Sequence, residues 1–401
     1  MLRHFTFHTA GESHGRGMLV VIEGVPAGLP ITPLHIAADL SRRQLGFGRG
    51  GRMTIEKDAG ELLSGVRLGE ALGSPLTVWV PNRDHRNWRV AMSVEAQPDA
   101  DDETLRRVHL PRPGHADLVG LLKYDRVDAR DILERSSARE TSARVAAGAV
   151  ARRLLAEFGI AIGSHVTRIG DVEVTDVPTE LSDLNQRADA SDVRCLDPTV
   201  AGRMRNAIRS AELAGDTLGG IFEVVATGVP VGLGSHVSWE RRLDARIGAA
   251  MLGIQAMKGV EIGLGFRSAA LRGSDVHDEI DREAERRLSG GYGRRRNNAG
   301  GLEGGTTTGE PLVVRVAMKP LSSLTRSLES VNVRTGRPAR AERERSDVCA
   351  VPAAGVVGEA MLALVLADAM REKFGGDSLG DMRASWEAYL TRINSNAFEH
   401  E

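Results

Sequence analysis

Two histidines stand in settings suited to chemistry. His14 lies in "TAGESHGRG" (9–17) among Gly11, Gly15 and Gly17, and His115 lies in "PRPGHADLVG" (111–120) behind Pro111, Pro113 and Gly114. Imidazole is the side chain best matched to moving a proton near neutral pH. Two prolines stiffen the backbone around His115, as pre-positioning of an acid or base requires. Arginines gather nearby in sequence: Arg42, Arg43, Arg49 and Arg52 in "SRRQLGFGRGGRM" (41–53), Arg112 beside His115, and Arg135 and Arg139 in "ERSSARET" (134–141). Guanidinium grips phosphate or carboxylate through two parallel bonds. Ser136 and Ser137 read as the start of a helix, where backbone donors cap or bind an anion. "KPLSSL" (319–324) adds Lys319 with Ser322 and Ser323, and "RSDVC" (345–349) puts Arg345 and Asp347 ahead of a helix, where the carboxylate suits a cap or a base.

Each motif alone also admits a structural reading: a tight turn, a solvated basic loop, an N-cap. Together they point to a polyanionic small ligand and acid–base chemistry. No His/Cys/Asp cluster has ligand spacing, so no metal is expected. The spacing is neither that of a Walker loop nor of a dinucleotide-binding glycine fingerprint.

Composition narrows the classes. The chain has 401 residues, 41% hydrophobic and 26% charged, and a net charge of −2. That balance, with only 4% aromatics, argues against a nucleic-acid surface. Of the 52 basic residues 47 are arginine and five are lysine, a bias that weakens any single arginine cluster as a signal. Two cysteines, Cys195 and Cys349, have no partner spacing, and the first ten residues lack a secretory apolar stretch. A cytoplasmic protein is expected. The most apolar segment, 350–370, carries Pro352, Glu359 and Asp368, so a buried amphipathic helix is expected rather than a membrane span.

The elements that must position these groups are of both kinds. Alternation predicts strands over 18–24, 52–58, 61–67, 75–80, 220–228 and 311–318, with 52–67 as a hairpin. Residues 94–107 read as a polar surface excursion. Helices are predicted over 137–159, opened by Ser137-x-x-Glu140, over 242–259 and over 352–376. Nothing resembles a linker or a short repeat, so one α+β domain over 1–401 is expected. Glycine-rich polar loops recur at 9–17, 46–52, 111–117, 290–309 and 375–376, and the seventeen residues 296–312 are long for an idle connection.

These segments, over nearly the whole chain, resemble the chorismate synthase family. The resemblance is carried by "AGESHG" (10–15), "GRGGRM" (48–53), "RPGHAD" (112–117), "ERSSARET" (134–141), "NNAGGLEGG" (297–305), "KPLSSL" (319–324) and "RSDVCAVPAAGVV" (345–357). It implies 1,4-anti elimination of phosphate from 5-enolpyruvylshikimate 3-phosphate to give chorismate, the last common step towards aromatic amino acids. Reduced FMN is needed without net redox change, its reductant coming from NADPH or an external source. No reductase domain is visible in the sequence, which favours the external one. The implied fold is a β-α-β sandwich with helices between antiparallel sheets, and the implied assembly a homotetramer, with no nucleic-acid or membrane partner.

By position, the resemblance makes His14 the acid for the departing phosphate and puts His115 by the flavin pyrimidine ring. Asp347 would assist flavin N5 in removing the C6 proton. Arg43, Arg49, Arg52, Arg112, Arg139 and Arg345 would hold the substrate's phosphate and carboxylates. Arg135, Ser136, Ser137, Gln255, Ala256, Gly305, Lys319, Pro320, Leu321, Ser322 and Ser323, again with Arg345, would line the FMN. Residues 282–295 depart locally from the family pattern. A different flavin- or NADPH-dependent oxidoreductase acting on a phosphorylated acid is the competing reading, and would consume reductant in proportion to product.

Overall fold

Burial alternates along "GMLVVIE" and "LTVWVP", and that period of two is what a half-buried strand requires. A computed structural model describes residues 2–50, 57–175, 183–282, 285–344 and 346–395. Its first third holds β1 (Thr6–Gly11), β2 (Gly17–Glu23), α1 (Pro33–Gln44), β3 (Glu61–Ser64), the two-residue partners β4 (Val66–Arg67) and β5 (Glu70–Ala71), and β6 (Leu76–Pro81). β1, β2, β6 and β3 form an antiparallel sheet in that order. Register puts Met18 opposite Val80, Val20 opposite Val78 and Ile22 opposite Leu76. All six are buried, so the two strands bury one continuous face.

Next come α2 (Asp117–Tyr124), α3 (Arg130–Ser136) and α4 (Thr141–Ala156), then β7 (Ala161–Ile169), β8 (Val172–Glu173), α5 (Leu184–Asp189) and α6 (Pro198–Leu213). β9 (Gly220–Thr227), α7 (Leu243–Leu252), β10 (Met257–Ile262) and the short α8 (Gly273–Val276) follow; β11 (Ile280–Arg282) pairs with β12 (Tyr292–Arg294) and β13 (Leu302–Glu303) with β14 (Thr306–Thr307) before β15 (Leu312–Met318). β10, β15, β9, β7 and β8 make a second antiparallel sheet. The chain closes with α9 (Val351–Phe374) and α10 (Leu379–Ser395). α4 packs on β2 and β6 of the first sheet and on α9, while α9 packs on β7 and β9 of the second. A glycine makes the central crossing possible. A Cβ on Gly148 of α4 would stand 2.3 Å from the Ala360 Cβ of α9, so a larger residue would push the two helices apart.

α9 is apolar on every side and buried on every side from Val351 to Met370. The expected amphipathic helix is therefore a central core helix with no wet face. Its two inner carboxylates are compensated. Glu359 pairs with Arg42, Arg152 and Arg194, and Asp368 accepts from the backbone of Arg3, His4 and Phe5 and pairs with Arg246.

Other expectations change at boundaries. The helix expected over 242–259 stops at Leu252, and Met257–Gly259 begins β10. Gly253 weakens the helix, and Ala256 at φ 68° has a backbone that a right-handed helix cannot contain. The helix expected from Ser137 opens as a 3-10 turn, Ala138–Glu140, before α4. Ser137 does accept from the Arg139 N–H, but the Glu140 side chain turns to Thr9, Arg144 and Gln255. Of the expected 52–67 hairpin, 52–56 lie outside the described residues, and β3 pairs with β6 instead.

Candidate active site

His14 occupies the turn between β1 and β2. Gly11 ends β1 at φ 107°, where a Cβ would lie 2.2 Å from the Gly17 carbonyl oxygen, so the glycines close the turn tightly. The turn is clamped from outside. The Asn82 side-chain amide donates to the carbonyls of Ser13 (3.2 Å) and Gly15 (2.9 Å), and its N–H donates to Arg16 (3.0 Å). Glu134 of α3 accepts from the His14 N–H at 2.7 Å and lies 2.8 Å from His14 Nδ1. Burial alone would raise the Glu134 pKa, but the bond from His14 and the charge of Arg130 outweigh it and hold the carboxyl below its usual range. An ionised acceptor favours the tautomer with its proton on Nδ1, so any acid–base role of this imidazole falls to Nε2.

His115 is anchored in the same way by a different acid. Its Nδ1 lies 2.5 Å from Asp117, the first residue of α2. Arg112 reaches the same carboxylate through Nε at 2.9 Å, and donates through another nitrogen to Ser323 Oγ at 2.7 Å. Asp117 is fully buried. Burial opposes its charge, yet the bonds from His115 and Arg112 prevail and keep it ionised well below the usual carboxylate range. Lys319 Nζ and Ser322 Oγ both donate to the Gly114 carbonyl, at 2.8 and 3.0 Å, which ties the 319–323 loop to this turn. The Lys319 N–H in turn bonds Ala256. Burial, with Lys258 nearby, lowers the Lys319 pKa.

A buried basic cluster adjoins the His14 turn. Arg43 and Arg139 share Asp58, at 2.8 and 2.5 Å. Arg49 pairs with Asp347 at 2.7 Å, and the Gly50 N–H donates to the same carboxylate. Burial drives the Arg43 pKa down to about 10 against the pull of Asp58, and repulsion from Arg139 and Arg49 adds to it. Three guanidiniums thus stand against two carboxylates, Asp58 and Asp347, and the remaining positive charge favours an incoming anion. A bond between the Ser137 and Ser13 hydroxyls joins this cluster to the His14 turn.

Not every expected residue points inward. Arg135 bonds the carbonyls of Thr9 and Gly11, and the Ser136 hydroxyl turns back to Ile132. Ser136 is the last residue of α3 rather than the start of a helix. Leu321 accepts from Thr217, and Pro320 abuts Gly219. Gly305 accepts from the Leu243 N–H at the start of α7, whereas Gln255 and Ala256 follow its far end. Ten helical residues separate these ends, roughly 15 Å, so only an extended ligand touches both. Arg42 belongs to the Glu359 network in the core. Arg52 and Arg345 lie outside the described residues.

Sequence reasoning passed over Glu134, Asp117, Asp58 and Asn82. Asp117 and Glu134 were visible inside "RPGHAD" and "ERSSARET", each an acid close to a histidine or serine motif; nothing local marked Asp58 or Asn82.

Two imidazoles fixed by buried carboxylates around an excess of guanidinium define an acid–base enzyme for an anionic substrate, and the comparisons make it a lyase. A family model described as chorismate synthase matches residues 5–371. The chorismate synthase of Geobacter sulfurreducens is 53% identical over 98% of this chain and 100% of that relative. That of Aquifex aeolicus is 50% identical over 98% and 99%. A crystal structure titled chorismate synthase superposes with a TM-score of 0.79 at 43% identity, covering 98% of this chain and 100% of the other. The chain belongs to the chorismate synthase family.

Proposed function

We propose that this chain converts 5-enolpyruvylshikimate 3-phosphate to chorismate by 1,4-anti elimination of phosphate. The observation that carries the reading is the Arg43–Asp58–Arg139 cluster with Arg49, together with His14 and His115, each held on its own carboxylate. The substrate brings one phosphate and two carboxylates, which matches that excess of guanidinium. Arg112, paired with Asp117 and bonded to Ser323, is a further guanidinium beside His115, and Arg52 and Arg345 belong to the same motifs.

His14, with Nδ1 committed to Glu134, delivers a proton from Nε2 to the leaving phosphate and improves the leaving group. His115, with Nδ1 committed to Asp117, holds a proton toward the flavin. Asp347, gripped by Arg49 and the Gly50 N–H, is the carboxylate acceptor for the proton lost from carbon.

The residues suit FMN. Gln255 Oε1 is buried without a partner among the described residues, beside the left-handed Ala256. Lys319, Ser322 and Ser323 supply a cation and hydroxyls next to His115. Bound reduced FMN would supply the transient electron density that makes an unactivated C–O bond breakable. Gly305, Arg135, Ser136, Ser137, Pro320 and Leu321 complete the lining, and NADPH or an external reductant keeps the flavin reduced.

The packing of α4 and α9 between two antiparallel sheets supports a β-α-β sandwich, and one core cluster running from Phe5 to Met382 supports a single domain. Leu118, Val119, Leu122 and Tyr124 on α2, with Val127, are exposed, an apolar face that supports a homotetramer. The site of action is the cytoplasm.

The test is anaerobic phosphate release from the substrate with and without pre-reduced FMN. Many turnovers per reduced flavin are expected. Reductant consumed in proportion to product would instead indicate an oxidoreductase.

A further inference from the structure

Of the segment "NRDHRNW" (82–88) only Asn82 has a role so far, yet the whole turn encloses His14. Asn82 caps a 3-10 turn, Arg83–Asn87, through the Asp84 N–H, and the same residue holds the backbone of Ser13, Gly15 and Arg16. His85 Nδ1 lies 3.2 Å from the His14 carbonyl. At the end of the turn the Trp88 ring stacks on the His14 imidazole, with centroids 3.8 Å apart and planes 27° apart. Trp88 is 8% exposed, so the contact is sheltered from water.

The tryptophan is itself fixed on two sides. Its indole N–H donates to Asp84 at 3.0 Å, and the Arg106 guanidinium carbon lies 4.0 Å from its ring centroid. Arg106 comes from the 94–107 excursion, which thereby has a part in the site. Glu134 fixes one edge of the imidazole at Nδ1, and that bond alone does not set the tilt of the ring about the line to the carboxylate. A stacked plane removes this remaining rotation.

We propose that Trp88 is a positioning residue for His14: it sets the plane in which Nε2 meets the phosphate. The proposal rests on the proton-donor role given to His14 above. Misplacement of a reacting group by about 1 Å can cost on the order of 10²-fold. Trp88→Ala therefore lowers kcat by roughly 10–100-fold, with KM within about twofold, whereas Trp88→Phe keeps a stacked plane and restores most of the turnover. In a His14→Ala background Trp88→Ala costs nothing further, because its effect passes through the imidazole.

A second measurement is independent of turnover. Carbethoxylation of His14, followed by mass spectrometry on the unliganded protein, is faster in Trp88→Ala and near wild type in Trp88→Phe. Full turnover in Trp88→Ala, an equal loss on the His14→Ala background, or unchanged His14 reactivity would each overturn the proposal. Failure of the wild-type chain to form chorismate would overturn the proposed function instead, and the His14 reactivities would still decide the placing of Trp88.

Discussion

The two histidine turns solve one problem with different means. His14 sits on a strand-to-strand turn and borrows its anchors from far along the chain: Glu134 from α3 and Asn82 and Trp88 from the turn after β6. His115 sits beside its own anchor, since Asp117 is two residues away and Arg112 three. The first arrangement holds an imidazole by enclosing it; the second holds it within a short local network that also secures the 319–323 loop. A turn fixed by distant partners is defined by the fold, while a turn fixed by near neighbours is defined by its own sequence.

The largest effects expected are from the histidines themselves. His14→Ala and His115→Ala should both fold, because each lies in a turn, and each should lose roughly 10²–10⁴-fold in turnover. The losses should differ with pH. His14→Ala should be less impaired in mild acid, where a phosphate with a second pKa of about 6 already carries a proton, and steady-state rates against pH would show it. Parallel profiles would break the contrast between the turns.

The anchors sharpen it. Glu134→Gln and Asp117→Asn should each lower kcat by roughly 10–100-fold through loss of a fixed tautomer. Only Asp117→Asn should also weaken flavin binding, since only Asp117 is tied through Arg112 to Ser323; fluorescence titration of FMN would separate the two. Arg49→Lys should act on neither turn. It should raise KM about tenfold by losing the planar fork and leave FMN affinity unchanged.

The smallest effect is on acid stability. Glu134 and Asp117 both have folded pKa values below those of the unfolded chain. The folded state therefore binds fewer protons in acid, and the stability each contributes is complete above about pH 4.5 and lost as the pH falls below. Urea unfolding of Glu134→Gln and Asp117→Asn should show deficits of about 1–3 kcal/mol at pH 7 that shrink toward pH 3.

The same contrast explains what could be read in the chain. His115 and Arg112 were legible because stiff local sequence holds them together, although Asp117 in the same motif was passed over. β2, β6, β9 and β15 were legible because runs of β-branched and other apolar residues fill them, and α9 because Pro352 and Gly375 bracket it. Its burial was expected but its amphipathic character was not found, since Glu359 and Asp368 suggest a wet face until Arg42, Arg152, Arg194 and Arg246 arrive from other elements. Asp58, Asn82, Glu134 and Trp88 owe their roles to tertiary proximity alone. The seven-residue overreach of the helix at 242–259 came from apolar spacing that a helix and a following strand share. α1, α6 and β7 were passed over because their polar faces and mixed composition give weak periodicity.

The central claim is that His14 serves the substrate and His115 the flavin. The most direct test is the absorption spectrum of reduced FMN bound anaerobically to His14→Ala and His115→Ala in the presence of substrate. The spectrum should match wild type in His14→Ala and differ from it in His115→Ala. Equal spectra in both variants, or a change confined to His14→Ala, would contradict the assignment.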